Sequence, residues 1–319
     1  MNLDFHNIRI IFSGTPQFSI PSLEYFYKNF NLVAIITKPD KKQGRGLKIK
    51  YSPVKEFALK NRIIYFQPEN LNDEEFIAKI KNLNPDFIVD VSYGKIFPLS
   101  LLKIPKECCI NFHPSLLPGY RGPSPIRWVL INNEKITGVT SHIMSEQIDS
   151  GKIIFQKELN ISFNEDYGSL YEKLSSISAE IIAPTFENYY KKIFIEKAED
   201  KYNIKNFYAR KIEAEEFQIN WNKTSVEIYN LIRASSPEPG AFTHYNGIII
   251  KIYEVEIVNK LLSDFKPGQI VDADIKNGIF VKTSDGLIKI LKLQRENRKV
   301  LYYKDFLNGI KLKPKEFFY

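Results

Sequence analysis

The first half of the chain has a rhythm that restricts its fold: short apolar runs closed by turn residues alternate with segments of helical periodicity. The runs are IRIIF at 8–12, LVAIIT at 32–37, IIYF at 63–66, FIVDV at 87–91, CCINF at 108–112 and TGVTSHIM at 137–144. Between them, DEEFIAKIKNL places Phe76, Ile77, Ile80 and Leu83 on one helical face, and Pro125 to Asn132 reads as another helix. A hairpin-like KIIFQKEL at 152–159 precedes an amphipathic stretch from about Tyr167 to Ile195. Near-continuous apolar strands are buried on both faces, and strands joined through helices run parallel. The expected class is therefore α/β, a Rossmann-like, mostly parallel sheet covered by helices.

The texture changes after residue 196. A charged, weakly periodic stretch at 197–208 reads as a linker, and beyond Trp221 one helix, Ser225 to Arg233, leads into short β-rich runs. These are punctuated by Pro239-Gly240, Asn246-Gly247, Pro267-Gly268, Asn277-Gly278 and Asp285-Gly286, as in a small antiparallel barrel of OB-like type. The expected domains are 1–196 and 209–319, the first able to fold alone. No apolar run approaches the roughly 18 residues of a spanning helix, and Asp4 and Arg9 interrupt the opening segment where a signal peptide would be apolar. A cytoplasmic protein without membrane association is expected, and a monomer. The only cysteines, Cys108 and Cys109, are adjacent and cannot staple distant segments.

Charge is unevenly spread. The net +8 comes from 45 Lys and Arg against 37 Asp and Glu, but residues 38–50 alone hold six basic residues and one acidic, and 286–315 hold nine and two. Concentrated positive charge attracts a phosphate backbone, and a solvated lysine-rich face accounts for it equally well. In the insert TKPDKKQGRGLKIKY, 37–51, Pro39, Gly44 and Gly46 oppose regular structure, so a mobile loop is expected there.

The chemistry concentrates at NFHPSLLPGYRGPSPIR, 111–127, a rigid loop with Pro114, Pro118, Pro123 and Pro125. Ligands of open α/β sheets sit outside the carboxyl ends of the strands, so Asn111 and His113, two apart at a strand end, point to the same side of the site. Asp149, in the turn EQIDSG after the sixth strand, reaches His113 if strands five and six are neighbours. Asn111 and a charged His113 would donate to a developing oxyanion, with Asp149 keeping the imidazole charged. Each residue alone has a plain structural reading, and His142 is most simply a packed core residue. SGTP at 13–16 lacks the spaced glycines of a dinucleotide site, and there is no G-x-S-x-G elbow, which favours direct transfer of an acyl group between bound partners. The four histidines have no metal-ligand spacing.

These segments, together with SGTPQFSIPSL, TKPDKKQGRGLKIKYSPVK, GVT at 138–140, FYARKI, INWNK, IRASSPEPGAFT and PGQIV, closely resemble the methionyl-tRNA formyltransferases of the formyltetrahydrofolate-dependent transferase superfamily. The resemblance implies transfer of the formyl group of 10-formyltetrahydrofolate to the α-amine of methionyl initiator tRNA, for translation initiation, with no metal. It implies a catalytic trio of Asn111, His113 and Asp149. Ser115, Leu116, Leu117 and Pro118 would line the folate site, and Tyr93 and Gly94 would wall the pteridine through backbone groups. Lys41, Lys42, Arg45 and Lys48 would meet the tRNA acceptor stem, and the 209–319 barrel would bind tRNA. Pro114 stands where the family usually has Gly, a variant that looks like purine-pathway formyltransferases. A formyltransferase acting on a small amine, such as a sugar nucleotide or glycinamide ribonucleotide, is the alternative; a catalytically idle RNA-binding module leaves the trio unexplained.

Overall fold

A computed structural model describes residues 4–43, 48–195, 207–260 and 262–319. Contacts divide it into two compact units. The first comprises residues 1–125, 136–160 and 171–210, the second 126–135, 161–170 and 211–319. The chain therefore leaves the first unit after residues 125 and 160 and re-enters it at 136 and 171, before its last passage to the second unit after 210.

The first unit is built on β1 (Arg9–Gly14), β2 (Asn31–Ile36), β5 (Tyr65–Phe66), β6 (Phe87–Val91), β7 (Cys108–His113), β8 (Ile136–Ile143) and β9 (Ile153–Asn160), in the order β5-β2-β1-β6-β7-β8-β9. The five strands through β7 run parallel, while β8 and β9 are antiparallel additions at one edge. The two faces bury different partners. Phe12, Phe87 and Phe112 face an aromatic group containing Phe26 of the helix Ile20–Asn29 and Phe186 of the helix Ile182–Tyr190. Ile11, Ile88 and Cys109 pack on the other face with Phe76 and Ile80 of the helix Glu74–Asn82, whose N-terminus is capped by Asp73 accepting from the Phe76 N–H at 2.8 Å.

At the carboxyl ends of the strands this second face turns polar. Ser13, Asp90, Asn111 and His142 pair in register across β1, β6, β7 and β8, so their side chains form one transverse row.

The basic insert departs from the loop expected there. Lys41–Gln43 (β3) and Lys48–Lys50 (β4) form an antiparallel ladder, because Gly44 and Gly46 fall in sequence between the two segments and leave both free to pair. Residues 44–47, including Arg45, lie outside the described residues, as does most of the expected linker. The base of the hairpin is anchored: Lys55 pairs with Asp40, and Gln67 Nε2 donates to Asp40 Oδ1 at 2.9 Å and to the Lys38 carbonyl at 2.8 Å.

The second unit contains an antiparallel sheet in the order β10 (Ala241–Tyr245), β11 (Ile248–Val258), β14 (Leu287–Arg295), β13 (Gly278–Lys282), β12 (Ile270–Asp274), with β15 (Leu301–Tyr302) beside β14. The sheet path itself is open. Its two edges meet the same segment, since Tyr319 exchanges hydrogen bonds with His244 of β10 while Ile270 of β12 donates to the Glu316 carbonyl. Trp221, Ile228 and Ile232 fill its core with Ile250, Ile252, Val281 and Phe318. Residues 126–135 and 161–170 are held to this unit by two arginines. Arg127 donates to the carbonyls of Ala234 and Glu238 and lies over the Tyr167 ring. Arg233, buried on the helix Ser225–Ser235, donates to Asn230 Oδ1 at 2.9 Å and, at 3.3–3.4 Å, to the carbonyls of Leu130, Phe163 and Glu165. Among the described residues, no helix is long and apolar enough to cross a membrane.

Candidate active site

The antiparallel pairing of β7 with β8 brings together the three residues singled out from the sequence. Asn111 and His113 lie on the same face of β7, and the turn after β8 returns Asp149 to them. That turn needs a bare backbone at Gly151, where a Cβ would lie 1.6 Å from the Ile143 carbonyl oxygen. It also places Asp149 itself at φ +50°. Asp149 Oδ2 accepts from the Gly122 N–H at 2.9 Å and faces His113 Nδ1 at 3.6 Å, while Oδ1 accepts from Asn111 Nδ2 at 3.2 Å.

His142 belongs to this cluster as well as to the sheet interior. Its Nδ1 lies 3.1 Å from the Ile143 carbonyl and its Nε2 3.2 Å from Asn111 Nδ2. A carbonyl only accepts and an amide nitrogen only donates, so the ring carries its proton on Nδ1 and accepts from Asn111 at Nε2. Asn111 is thus oriented by two acceptors, His142 and Asp149. Replacing His142 by alanine is expected to lower turnover about tenfold, the scale of losing one orienting hydrogen bond, with KM values little changed. Single-turnover rates at saturating substrates check this.

The same reasoning fixes His113. Its Nε2 lies 2.9 Å from the Tyr120 carbonyl and therefore donates to it, which leaves Nδ1 facing the Asp149 carboxylate. Burial pushes the His113 pKa below the ordinary histidine value and outweighs the attraction of Asp149. The ring rests neutral near pH 7, in place of the imidazolium expected from sequence. Burial acts on Asp149 in the opposite sense, but His113, His142 and the Gly122 N–H hold its carboxyl well below the usual carboxylate range. The site is a carboxylate beside a neutral imidazole with a vacant proton position between them.

Residues 6–185 match the family model described as formyl transferase, and 211–311 match that of the formyl transferase C-terminal domain. The chain is 41% identical over 307 residues to the methionyl-tRNA formyltransferase of Clostridium tetani, covering 96% of this chain and 97% of that one. The chain belongs to the formyl transferase family. The fold is shared with solved structures of lower identity. One is WlaRD, a sugar 3N-formyl transferase solved in the presence of dTDP and 5-N-formyl-THF, at TM-score 0.64, 24% identity and coverage of 92% of this chain and all of that one. Another is HypX from Aquifex aeolicus in complex with tetrahydrofolic acid, at TM-score 0.60 and 18% identity, where 97% of this chain covers 49% of that chain.

In this formyl transferase the SLLP segment is turned inward. Ser115, Leu116 and Leu117 are buried, Ser115 Oγ donates to the Gly119 carbonyl, and Thr140 Oγ1 bonds both the Ser115 carbonyl and the Leu117 N–H. Their side chains are packed inside. They shape the loop that carries Tyr120 and Gly122 to His113 and Asp149, and only Pro118 is partly exposed. The Tyr93 ring is likewise in the core against Phe97. What the 92–96 segment offers is backbone: Gly94 sits at φ +73°, and beyond it Ile96 is 68% exposed. A flat heteroaromatic ring that bonds backbone groups and stacks on an aliphatic side chain fits that edge. Among the described residues, no group of three or more His, Cys, Asp or Glu is placed to hold a metal ion.

Proposed function

We propose that this chain transfers the formyl group of 10-formyltetrahydrofolate to the α-amine of methionyl initiator tRNA. End-to-end identity of 41% to a methionyl-tRNA formyltransferase carries the reading, and the Asn111, His113, Asp149 cluster supplies its chemistry. The folate contributes an activated formyl carbon. As the neutral amine attacks the formyl carbon, Asn111 Nδ2 exchanges one of its two resting acceptors, His142 Nε2 or Asp149 Oδ1, for the developing oxyanion. The amine's proton passes to the His113–Asp149 pair, where Nδ1 can take it beside a carboxylate, and collapse of the tetrahedral adduct breaks the folate N–formyl bond as that proton is delivered to the leaving nitrogen. Residues 92–96 would hold the pteridine, with Pro118 at the rim. The unit that carries the trio is the catalytic domain and the unit that contains 211–319, with 126–135 and 161–170, the tRNA-binding domain, in a cytoplasmic monomer.

Incubating the full chain with charged initiator tRNA and 10-formyltetrahydrofolate, then analysing the released methionine by mass spectrometry, tests the reading. N-formylmethionine is expected; formylation of an amino sugar nucleotide or glycinamide ribonucleotide instead would replace it with the small-amine alternative.

Lys41, Lys42, Arg45 and Lys48 would meet the acceptor stem from the hairpin anchored by Asp40 and Lys55. Arg45 stands between Gly44 and Gly46, where backbone clearance lets a guanidinium approach a phosphate or base edge. Arg45→Ala is expected to lower kcat/KM for initiator tRNA about tenfold, and Lys41→Ala or Lys50→Ala only about twofold. Side-by-side assays at fixed salt decide it: equal small losses would reduce the hairpin to diffuse charge.

A further inference from the structure

One buried carboxyl stands beside this site without a part in the chemistry above. Asp90, near the end of β6, pairs in register with Ser13 on β1 and with Asn111 on β7, so it flanks Asn111 on the side opposite His142. It is 8% exposed in a strand that otherwise reads Phe, Ile, Val and Val. Oδ1 accepts from the Tyr93 N–H at 3.2 Å, and the Ser13 hydroxyl opposite it lies outside hydrogen-bonding geometry. A buried carboxyl with so little compensation is costly to keep charged, and a packed apolar strand needs no carboxyl at all.

We infer that Asp90 is a positioning residue for formyl transfer that acts through Asn111: uncharged, it leaves the Asn111 amide to the oxyanion, and charged, it sets a second negative charge one strand away from where that oxyanion forms. The inference rests on the transfer reading above and adds a second ionisation to that site.

The surroundings agree. Burial pushes the Asp90 pKa up to about 7, opposed by the Tyr93 N–H, the nearby Ser13 hydroxyl and Lys38, and assisted by Asp149. Lys38 reaches in from beyond β2, where a Cβ on Gly94 would lie 2.7 Å from its Nζ. Cys109 and Tyr93, the other titratable neighbours, are pushed above their ordinary values and stay neutral. His113 and His142 complete the set on β7 and β8. Raising the pH through neutrality therefore ionises Asp90 while Asp149 is already a carboxylate. The amide of Asn111 then lies between two negative charges, and an oxyanion beside it is disfavoured.

The test uses the full chain. With aspartate carboxyls labelled by 13C, one resonance is expected to titrate near neutral pH, to vanish in Asp90→Asn and to move to lower pH in Asp149→Asn, where the repelling charge is gone. With saturating folate and charged initiator tRNA, the ratio of Asp90→Asn to wild-type kcat is expected to rise roughly tenfold between about pH 6 and pH 8.5. KM values and thermal unfolding at pH 6 should stay near wild type. Asp90→Val, β-branched for the strand, serves the same comparison if the amide variant fails to fold. A ratio independent of pH, or no aspartate titrating near neutrality, overturns the proposal. If the wild type formylates no tRNA, the functional reading fails, while the carboxyl titration and its response to Asp149→Asn still decide whether the two charges are coupled.

Discussion

Replacing His113 or Asp149 with alanine is expected to lower formylation turnover at least about a hundredfold, the usual scale for an acid–base group or an electrostatic partner of the transition state. Folate binding should survive, because neither side chain belongs to the 92–96 edge proposed to hold the pteridine. The pair shares one proton position: His113 Nε2 is occupied by the Tyr120 carbonyl, so a proton arriving at Nδ1 is held only because Asp149 faces it. Losing either partner removes the same function. The double variant should consequently be little worse than each single one, a non-additivity that independent roles would not give. The pH dependence has a definite sign. The neutral ring is the acceptor, and burial depresses its pKa, so activity should be retained as pH falls past about 6.5, where a free imidazole titrates, and be lost only below it. Near-normal turnover in either alanine variant, or an acid limb above pH 7, would remove His113 from this role.

Arg233→Ala is expected to cost about 3 kcal/mol of stability, with little effect on chemistry at temperatures where the variant stays folded. The guanidinium is buried and serves three backbone carbonyls and the side-chain oxygens of Asn230 and Asn133 from one fork. Truncation leaves all five acceptors without that donor. Arg233→Lys should recover only part of the loss, since a single ammonium cannot span acceptors arranged around a planar group. Calorimetry of the three proteins checks this, and wild-type unfolding temperatures for the alanine variant would show that these carbonyls find other donors.

Much of the sheet is legible in the sequence because its signals are local. Each strand is a short apolar run ended by a breaker, and the Asn111, His113 spacing declares a shared face without knowledge of any partner. The role of His142 is not local: it depends on pairing with Asn111 across 31 residues of chain. Asp90 was hidden by the strand it occupies, since FIVDV reads as one buried run and the charge is noticeable only beside Asn111 and Asp149. The SLLP loop misled in the other direction. Its prolines and glycines read only as a rigid loop, whereas Thr140 and Gln156, from strands that do not adjoin it in sequence, draw its backbone polar groups inward. The ladder of the basic insert was hidden by Pro39, Gly44 and Gly46, which oppose regular structure within a strand but not between two strands, and whose effect is offset where Asp40 and Lys55 fix the base.

The membership of residues 126–135 and 161–170 in the second unit bears on how such proteins can be recombined. A single crossover near residue 210 between two diverged relatives would look like a clean exchange of domains. It would in fact set one parent's 211–319 against the other parent's 126–135 and 161–170, so the carbonyls that Arg233 must reach and the Tyr167 ring under Arg127 would come from a different ancestor. Workable chimaeras need five junctions, at 125/126, 135/136, 160/161, 170/171 and 210/211. The two halves of the gene are thereby obliged to drift together, and substitutions in the second unit should track those in two short segments encoded far upstream of it.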